Sequence, residues 1–299
     1  MMNYVDFKEE IKNRFIEYMP DEMQDMKACI RQITKINLTL DGLVIFREGE
    51  KVQVSPIIYL DTLYAYYMER GSLEETLWKA TSIMLEAMEI SIDVHDMQNV
   101  RENIVFQVIN TMQNQRLLAN LPNRPFHDLS IIYRYIVGKD DNNTFSTVIN
   151  NSIAEHMGLG EVDLFRLAEK NTRRILPPSI KPMSDLFTGI PLGQIMWVIS
   201  NETGINGAAS ILYEDELYKL AESLKSDLYI IPSSIHECIA VSADIGNPEE
   251  LACMVAEINE NQVDIEERLS NLVYHYDKNS GVLTIAAGTS NTFLQYADE

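Results

Sequence analysis

Cysteine and basic residues are both scarce in this sequence. Its 299 residues include three cysteines, Cys29, Cys238 and Cys253, which form no Cys-x-x-Cys pair. An odd and sparse set of cysteines argues against a disulfide framework and predicts reduced thiols, as in a cytosol. Lys and Arg number 24 against 45 Asp and Glu, which gives a net charge of −21. Because binding to phosphate backbones requires Lys and Arg, we expect no direct binding of nucleic acid.

Long apolar runs and the common catalytic signatures are absent as well. No run approaches the roughly 18 apolar residues of a membrane helix, and the N-terminus lacks the apolar centre of a signal peptide. We therefore expect a cytoplasmic protein without a membrane partner. The chain contains no glycine-rich phosphate loop and no G-x-S-x-G nucleophile elbow. Its five histidines have no metal-ligand spacing, because Ala240 stands four residues after His236. We predict no cofactor and no metal site.

Acidic residues are concentrated in the last third of the chain. Residues 214–299 contain 17 acidic and 4 basic residues, a net charge of −13, and no Lys or Arg occurs from Ser226 to Glu267. One interpretation is a solvated surface that keeps the protein soluble. The other is a surface that binds a basic partner or mimics a polyanion.

Helical and extended patterns alternate along the chain, and many neighbouring strands look linked by hairpins. Asp41-Gly42 between apolar segments predicts a two-residue hairpin turn, and Asn247-Pro248 predicts the start of a helix. We expect the buried face of that helix to consist of four residues, Leu251, Met254, Val255 and Ile258. These patterns predict an α+β fold with mixed, largely antiparallel sheets and packed amphipathic helices.

A proline-rich stretch suggests how the chain is divided. Residues 177–191 lie within a segment that holds four of the ten prolines, so we predict a linker there. It would join an N-terminal α+β lobe, 1–176, to an acidic C-terminal α+β lobe, 192–299. A single compact domain is the alternative.

The segment LYIIPSSIHECIAV, residues 228–241, holds the main catalytic candidates. In an extended chain Ser234 and His236 point to the same side, as a nucleophile and its base would, whereas Glu237 faces away from the ring. The competing interpretation is a turn between two strands. Ser233 or Ser234 then hydrogen-bonds the backbone and His236 packs half-buried. We predict the turn and keep Ser234 and His236 as candidates, with Ser233 and Glu237 as binding residues.

Two other polar segments are candidates for ligand binding. Arg124, His127 and Asp128 lie in the loop sequence NRPFHD before a predicted strand. Asn206 lies in NETGING at a predicted hairpin tip. Each set serves either recognition of a ligand or the geometry of its own turn.

Several of these segments occur together in one order. VSPIIYLDTLYAYYMERGSLEE, NRPFHDLSIIYRY, WVISNETGINGAASILY, DLYIIPSSIHECIAV and LSNLVYHYD resemble a bacterial family known as domain of unknown function 5688. A fainter resemblance connects HDLSIIY, LFRLAEKNTRRIL and LYIIPSSIHECIAV to domain of unknown function 1444. The first resemblance implies a cytoplasmic protein of gut Firmicutes, encoded near mobile elements and accessory in role. It implies no catalytic residue.

Three functional hypotheses follow from the residues. The first is a non-enzymatic interaction or regulatory protein, an accessory factor of a mobile element, whose acidic surface binds a protein partner. The second is a hydrolase centred on Ser234 and His236 with a distant acid. The third is an acidic mimic of a polynucleotide.

Overall fold

The chain folds into two compact units, Met1–Asp93 and Val94–Glu299. This computed structural model describes residues 1–48, 56–89, 97–139, 144–185 and 196–288. The predicted linker, 177–191, falls inside the second unit, and its residues from 186 onward lie outside the described ranges. Pro178–Pro182 instead forms a strand that pairs with the strand Met196–Asn201. Strand pairing therefore joins the start of the predicted linker to Met196–Asn201 in one sheet of the second unit.

In its described residues the first unit is a three-stranded antiparallel sheet with helices. The strands lie in the order β1-β2-β3. In chain order the elements are α1 (Tyr4–Arg14), β1 (Lys27–Lys35), β2 (Leu38–Phe46), β3 (Ile58–Tyr59), α2 (Leu60–Arg70) and α3 (Leu73–Glu89). The core combines side chains of sheet and helices, among them Phe7, Ile11, Leu43, Ile45, Leu60 and Leu77. Burial of each such side chain contributes about 1.5–3 kcal/mol to folding.

The first hairpin turns at Asn37 and not at Asp41-Gly42. Asn37 adopts a φ of 62°, a left-handed conformation that asparagine tolerates, and Lys35 pairs with Leu38 across this turn. Gly42 lies inside β2, where a Cβ atom would come within 2.6 Å of side-chain carbons of Ile33 and Ile57. The prediction of a turn at Asp41-Gly42 is wrong, because this glycine serves close packing.

The second unit contains two antiparallel sheets and further helices. Its first half comprises α4 (Met97–Glu102), β4 (Ile104–Asn110), α5 (Gln115–Leu118), β5 (Asn123–Phe126), β6 (Leu129–Lys139), β7 (Thr144–Val148), α6 (Asn151–His156) and α7 (Glu161–Ile175). Its second half comprises β8 (Pro178–Pro182), β9 (Met196–Asn201), α8 (Glu214–Leu224), β10 (Leu228–Ile231), β11 (Cys238–Ser242), α9 (Pro248–Gln262), β12 (Val273–Asp277) and β13 (Val282–Ala287).

Both sheets of the second unit contribute to one hydrophobic core. The smaller sheet has the order β4-β6-β5, with β7 also paired to β6, and the larger has the order β13-β12-β10-β11-β9-β8. Every described strand pair is antiparallel, so the predicted α+β class is confirmed. The core includes Phe106, Ile131 and Tyr133 from one sheet and Ile230 and Ala240 from the other.

Helix α9 buries only part of the predicted face, since Val255 is buried and Leu251 packs against the core. Asn247 caps it, because its side-chain oxygen accepts hydrogen bonds from the backbone N–H groups of Glu249 and Glu250, at 2.9 and 3.3 Å. The buried residues of the helix are Ala252, Val255 and Asn259. Met254 and Ile258, which the apolar pattern placed inside, are exposed.

Candidate functional site

Residues 232–237 form a hairpin loop between two central strands. β10 and β11 pair antiparallel, with Ile231 opposite Ile239 at the loop end. The prediction of a turn between two strands is therefore confirmed. The loop contains four of the predicted site residues, Ser233, Ser234, His236 and Glu237.

Neighbouring segments hold the backbone of this loop on both sides. On one side Ile235 N–H donates to the carbonyl of Glu267 at 2.8 Å, and Leu269 N–H donates to that of Ser233 at 3.0 Å. On the other side Ala208 N–H donates to the carbonyl of Ile235 at 3.2 Å. These bonds give the loop one fixed conformation, as buried backbone groups require.

Ser234 and His236 use their polar atoms for structure. The hydroxyl of Ser234 accepts the backbone N–H of His236 at 2.9 Å. Nδ1 of His236 accepts the backbone N–H of Asn206 at 3.2 Å, and Nε2 lies 3.4 Å from a carboxylate oxygen of Glu267. An acceptor Nδ1 places the proton of the neutral ring on Nε2, facing Glu267. Among the described residues the ring of His236 makes no hydrogen bond to the hydroxyl of Ser234.

An open depression of about 420 Å³ lies beside the loop. Its lining includes His236, Glu237 and Glu267, together with Gln262 and Val263 at the end of α9. Within the part of the chain that the structure describes, no three His, Cys, Asp or Glu side chains are placed to hold a metal. The depression therefore presents carboxylates to solvent next to α9.

Asn206 is connected to a polar network that the sequence pattern did not reveal. It adopts a φ of 53°, and its side-chain oxygen accepts a hydrogen bond from Gln107 at 2.8 Å. Gln107 in turn accepts a hydrogen bond from Arg134 at 3.0 Å, and burial lowers the pKa of Arg134. The only available signal was a single polar residue in the apolar run IVFQVI. The structure thus brings Asn206 to His236 and supports both from the smaller sheet.

Arg124 contributes to a separate ion pair. Its guanidinium donates two hydrogen bonds to Glu161, at 2.9 and 3.1 Å, and lies 3.7 Å from the ring centroid of Phe165. Tyr133 also donates to Glu161, at 2.5 Å. Burial acts to raise the pKa of Glu161, but hydrogen bonds from Arg124 and Tyr133 outweigh it and hold that pKa below its usual value.

Asp128 is buried and accepts hydrogen bonds from two distant hydroxyl groups. Ser270 donates to it at 2.6 Å, and Tyr274 donates to its other oxygen. Burial raises the pKa of Asp128. The neighbouring His127 has a φ of 54°, and its ring centroid lies 5.1 Å from that of Tyr274. Arg124 and Asp128, predicted as one binding segment, therefore have different partners.

The outer face of α9 combines acidic and exposed apolar side chains. Met254 is 37% exposed, Ile258 is 39% exposed, and Ile265 just after the helix is 56% exposed. Glu250 and Glu257 are exposed at helical spacing from them. These five residues, which we call the α9 surface, lie in the stretch without Lys or Arg.

Comparison with known proteins gives a family but no activity. No helix in the described ranges combines the length and apolar character that a membrane span requires. No curated protein and no solved structure matches this chain. A family model matches residues 4–278, nearly the whole chain, and its description is "Family of unknown function (DUF5688)". The chain therefore belongs to the DUF5688 family of unknown function, as the order of its motifs predicts.

Proposed function

We propose that this protein is a non-enzymatic accessory factor that binds a basic partner protein through the α9 surface. The observation that carries the proposal is the exposure of Met254 and Ile258 among glutamates, on a helix whose opposite face is buried. Apolar side chains surrounded by charges of one sign are typical of a surface that a partner covers.

The chemistry of the α9 surface selects the kind of partner. Glutamates attract Lys and Arg over several ångströms and increase the rate of encounter. Met is a flexible side chain that adapts to different apolar surfaces. An amphipathic helix rich in Lys and Arg, with an apolar stripe of its own, supplies both complements.

Binding of a labelled Lys- and Arg-rich amphipathic peptide tests this proposal. We expect saturable binding in a fluorescence anisotropy titration, and we expect it to weaken as NaCl increases from about 50 to 300 mM. The double variant Met254→Ser/Ile258→Ser should weaken binding about tenfold or more, because it removes the apolar contacts. The matched control Val162→Ser/Val282→Ser changes two other side chains that are about half exposed, 51% and 50%. Equal affinities for the two double variants would contradict the proposal.

The polynucleotide-mimic hypothesis predicts a different result in the same peptide titration. A polynucleotide mimic uses charge alone, so Glu250→Gln/Glu257→Gln would abolish peptide binding while Met254→Ser/Ile258→Ser would leave it unchanged. The hydrolase hypothesis stays a prediction, although the polar atoms of Ser234 and His236 face other partners. The bacterial, cytoplasmic and mobile-element assignments stay predictions from the family resemblance.

A further inference from the structure

A cavity of about 260 Å³ is lined by residues of α7 and β5. Four residues of α7 repeat at intervals of four, Glu161, Phe165, Glu169 and Arg173, so they share one face of the helix. The last three line the cavity, and Arg124 of β5 lines it as well. The cavity has no lining residue in common with the α9 surface, so it is a separate feature of the second unit.

The buried part of the lining is apolar and aromatic. Phe106, Ile131 and Tyr213 are each 4% exposed or less, and Phe126 and Phe165 line the cavity as half-buried side chains. Aromatic walls favour a flat ring, because each pair of stacked or edge-on rings adds about 0.5–1.5 kcal/mol to simple burial. The volume lies just below the roughly 300–1,000 Å³ of typical small-molecule sites, so it suits a bicyclic ring and not a whole nucleotide.

Arg124 provides hydrogen-bond donors that a ligand can reach. Its Nε and Nη2 groups donate to the two carboxylate oxygens of Glu161, at 2.9 and 3.1 Å. A guanidinium has five N–H groups in a flat fork, so this pair leaves the edge formed by Nη1 and the second N–H of Nη2. No described residue accepts a hydrogen bond from Nη1 of Arg124. The side chain is 35% exposed, so that edge is open to a ligand.

Glu169 provides an acceptor one helical turn beyond Phe165. It is exposed, and it forms no ion pair or side-chain hydrogen bond with any described residue. Hydrogen bonding to Glu161 raises the pKa of Arg124, and the charge of Glu169 adds to that effect, so Glu169 lies within electrostatic range of the guanidinium. The cavity therefore combines a two-donor edge and an open carboxylate with aromatic walls.

The charges around the cavity favour a neutral ligand. Each guanidinium group of the lining, Arg124 and Arg173, is already paired with a carboxylate from outside the lining. Glu169 adds a negative charge, so an anion would be repelled. A cation would find the faces of Phe165 and Tyr213 already covered by those guanidinium groups, which lie 3.7 and 4.2 Å from the ring centroids. A neutral ring that accepts hydrogen bonds at one edge and donates them at another meets neither obstacle.

We propose that this cavity binds the neutral bicyclic base of a guanine or a pterin, whose shared group is a 2-amino-oxopyrimidine ring. The carbonyl oxygen and the neighbouring nitrogen of the second ring accept hydrogen bonds from the open edge of Arg124, the pairing by which arginine recognises guanine. The ring N–H and the exocyclic amino group donate to the carboxylate of Glu169. This site goes beyond the proposed function, because it takes a small ligand at α7 and uses no residue of the α9 surface.

Titration calorimetry of the full chain with guanosine and with pterin tests the site. Adenosine is the ligand control, because it has a purine ring but lacks the carbonyl oxygen and the ring N–H. We expect saturable binding of guanosine, of pterin or of both, and binding of adenosine that is at least about tenfold weaker than that of the better ligand. The comparison of guanosine with pterin shows whether the cavity takes the base with or without a ribose.

Two variants and a matched control place the ligand in the cavity. Glu169→Ala removes the acceptor at an exposed helical position and should weaken binding about tenfold or more. Arg124→Lys keeps a positive charge beside Glu161 but loses the second donor edge, so it should weaken binding to a similar extent. Glu155→Ala removes another exposed helical glutamate, outside the cavity, and should bind the ligand within about twofold of wild type.

Three results would overturn the proposal. The first is the absence of saturable binding of both guanosine and pterin to folded wild-type protein. The second is adenosine binding as tight as that of the better ligand, and the third is binding that Glu169→Ala leaves unchanged. Glu169→Ala keeps the test decisive if Arg124→Lys fails to fold. None of these results depends on whether the basic peptide binds, so this site and the α9 surface succeed or fail separately.

Discussion

Asp128 is the residue whose environment departs furthest from that of an ordinary surface carboxylate. Two hydroxyl donors stabilise its charge, but burial dominates and raises its pKa. Leaving such a carboxylate buried without a cation costs free energy at neutral pH. Structural acids more often lie beside a base, as Asp215 does beside Arg173. Asp128 therefore links the loop before β6 to Ser270 and Tyr274 as a buried, hydrogen-bonded acid.

The raised pKa of Asp128 predicts a pH-dependent stability. The folded chain holds the Asp128 proton more tightly than the unfolded chain, so it binds more protons between the two pKa values. The contribution of Asp128 to stability is therefore fully present below the unfolded pKa and is lost as pH rises. Relative to Asp128→Asn, the unfolding free energy of wild type should fall as pH rises from about 4 to 7. Urea denaturation at several pH values measures this difference.

Asp215 provides a control in which the unfolding free energy changes with pH in the opposite direction. A hydrogen bond from Arg173 lowers the pKa of Asp215 to about 2. Its contribution is present above the unfolded pKa, which is about 4, and is lost as pH falls towards 2. Wild type should therefore gain stability relative to Asp215→Asn as pH rises over that lower range.

A difference between wild type and Asp128→Asn that does not change with pH would show that Asp128 has an ordinary pKa.

At the residue scale the sequence identified some site members and missed their partners. His127 and Asp128 were identifiable because they stand in a polar loop between apolar segments. Ser270 and Tyr274 lie 142 and 146 residues further along the chain, and no local pattern connects them to Asp128. Only the packing of two sheets brings these groups together.

The hairpin of β10 and β11 carries the loop 232–237, which contains the candidate residues Ser234 and His236. Its loop lies against residues 200–208, where Gly207 is closely packed. A Cβ atom on Gly207 would lie 2.5 Å from the carbonyl oxygen of His236 and 2.7 Å from the backbone nitrogen of Asn201. Both are main-chain atoms, and the carbonyl oxygen of His236 also accepts a hydrogen bond from the hydroxyl of Ser200 at 2.8 Å, so the loop has little freedom to move away.

Gly207→Ala should therefore lower the unfolding free energy by about 2–3 kcal/mol, because it overpacks this contact. Urea denaturation at neutral pH measures the effect. Gly160→Ser is a suitable control, since a Cβ atom there has only a side-chain oxygen of Asp163 within 4 Å, at 3.8 Å. Serine also suits the start of α7, where Gly160 stands. Equal stability of Gly207→Ala and wild type would contradict the close contact.

At the element scale the sequence predicted where α9 begins and only part of its buried face, Val255 and Leu251. Asn247 and Pro248 mark the start through local backbone chemistry, which tertiary packing does not change. The buried face depends on what the helix packs against. Ala252 and Asn259 are inward, where a small side chain and an amide meet their neighbours, and Met254 is left outside. The helical pattern of apolar residues therefore placed Met254 and Ile258 in the core, although both are exposed.

At the scale of the molecule, each unit has its own described core. The core residues of the first unit run from Phe7 to Met84, and those of the largest core in the second unit run from Val100 to Tyr276. The α+β class was predictable because hairpin and helix signals are local. The order of strands in the six-stranded sheet was not, since β12 pairs with β10 across an intervening strand and helix.

The net charge of the molecule indicates the charge of the partner in its proposed function. The net charge of −21 repels acidic partners in general, whereas the absence of Lys and Arg from 226 to 267 makes one region especially favourable for a basic one. Exposed apolar side chains occur within that region on the α9 surface. In the proposed complex, charge brings the basic partner near, and apolar contact fixes where it binds.

The most direct test of this account is a hydrogen-exchange comparison of the full chain with and without the Lys- and Arg-rich amphipathic peptide. The account predicts slower exchange in residues 248–267, which contain the α9 surface, and unchanged exchange in α7 on the same unit. Slower exchange confined to other segments, with residues 248–267 unaffected at saturating peptide, would contradict the assignment of α9 as the binding surface.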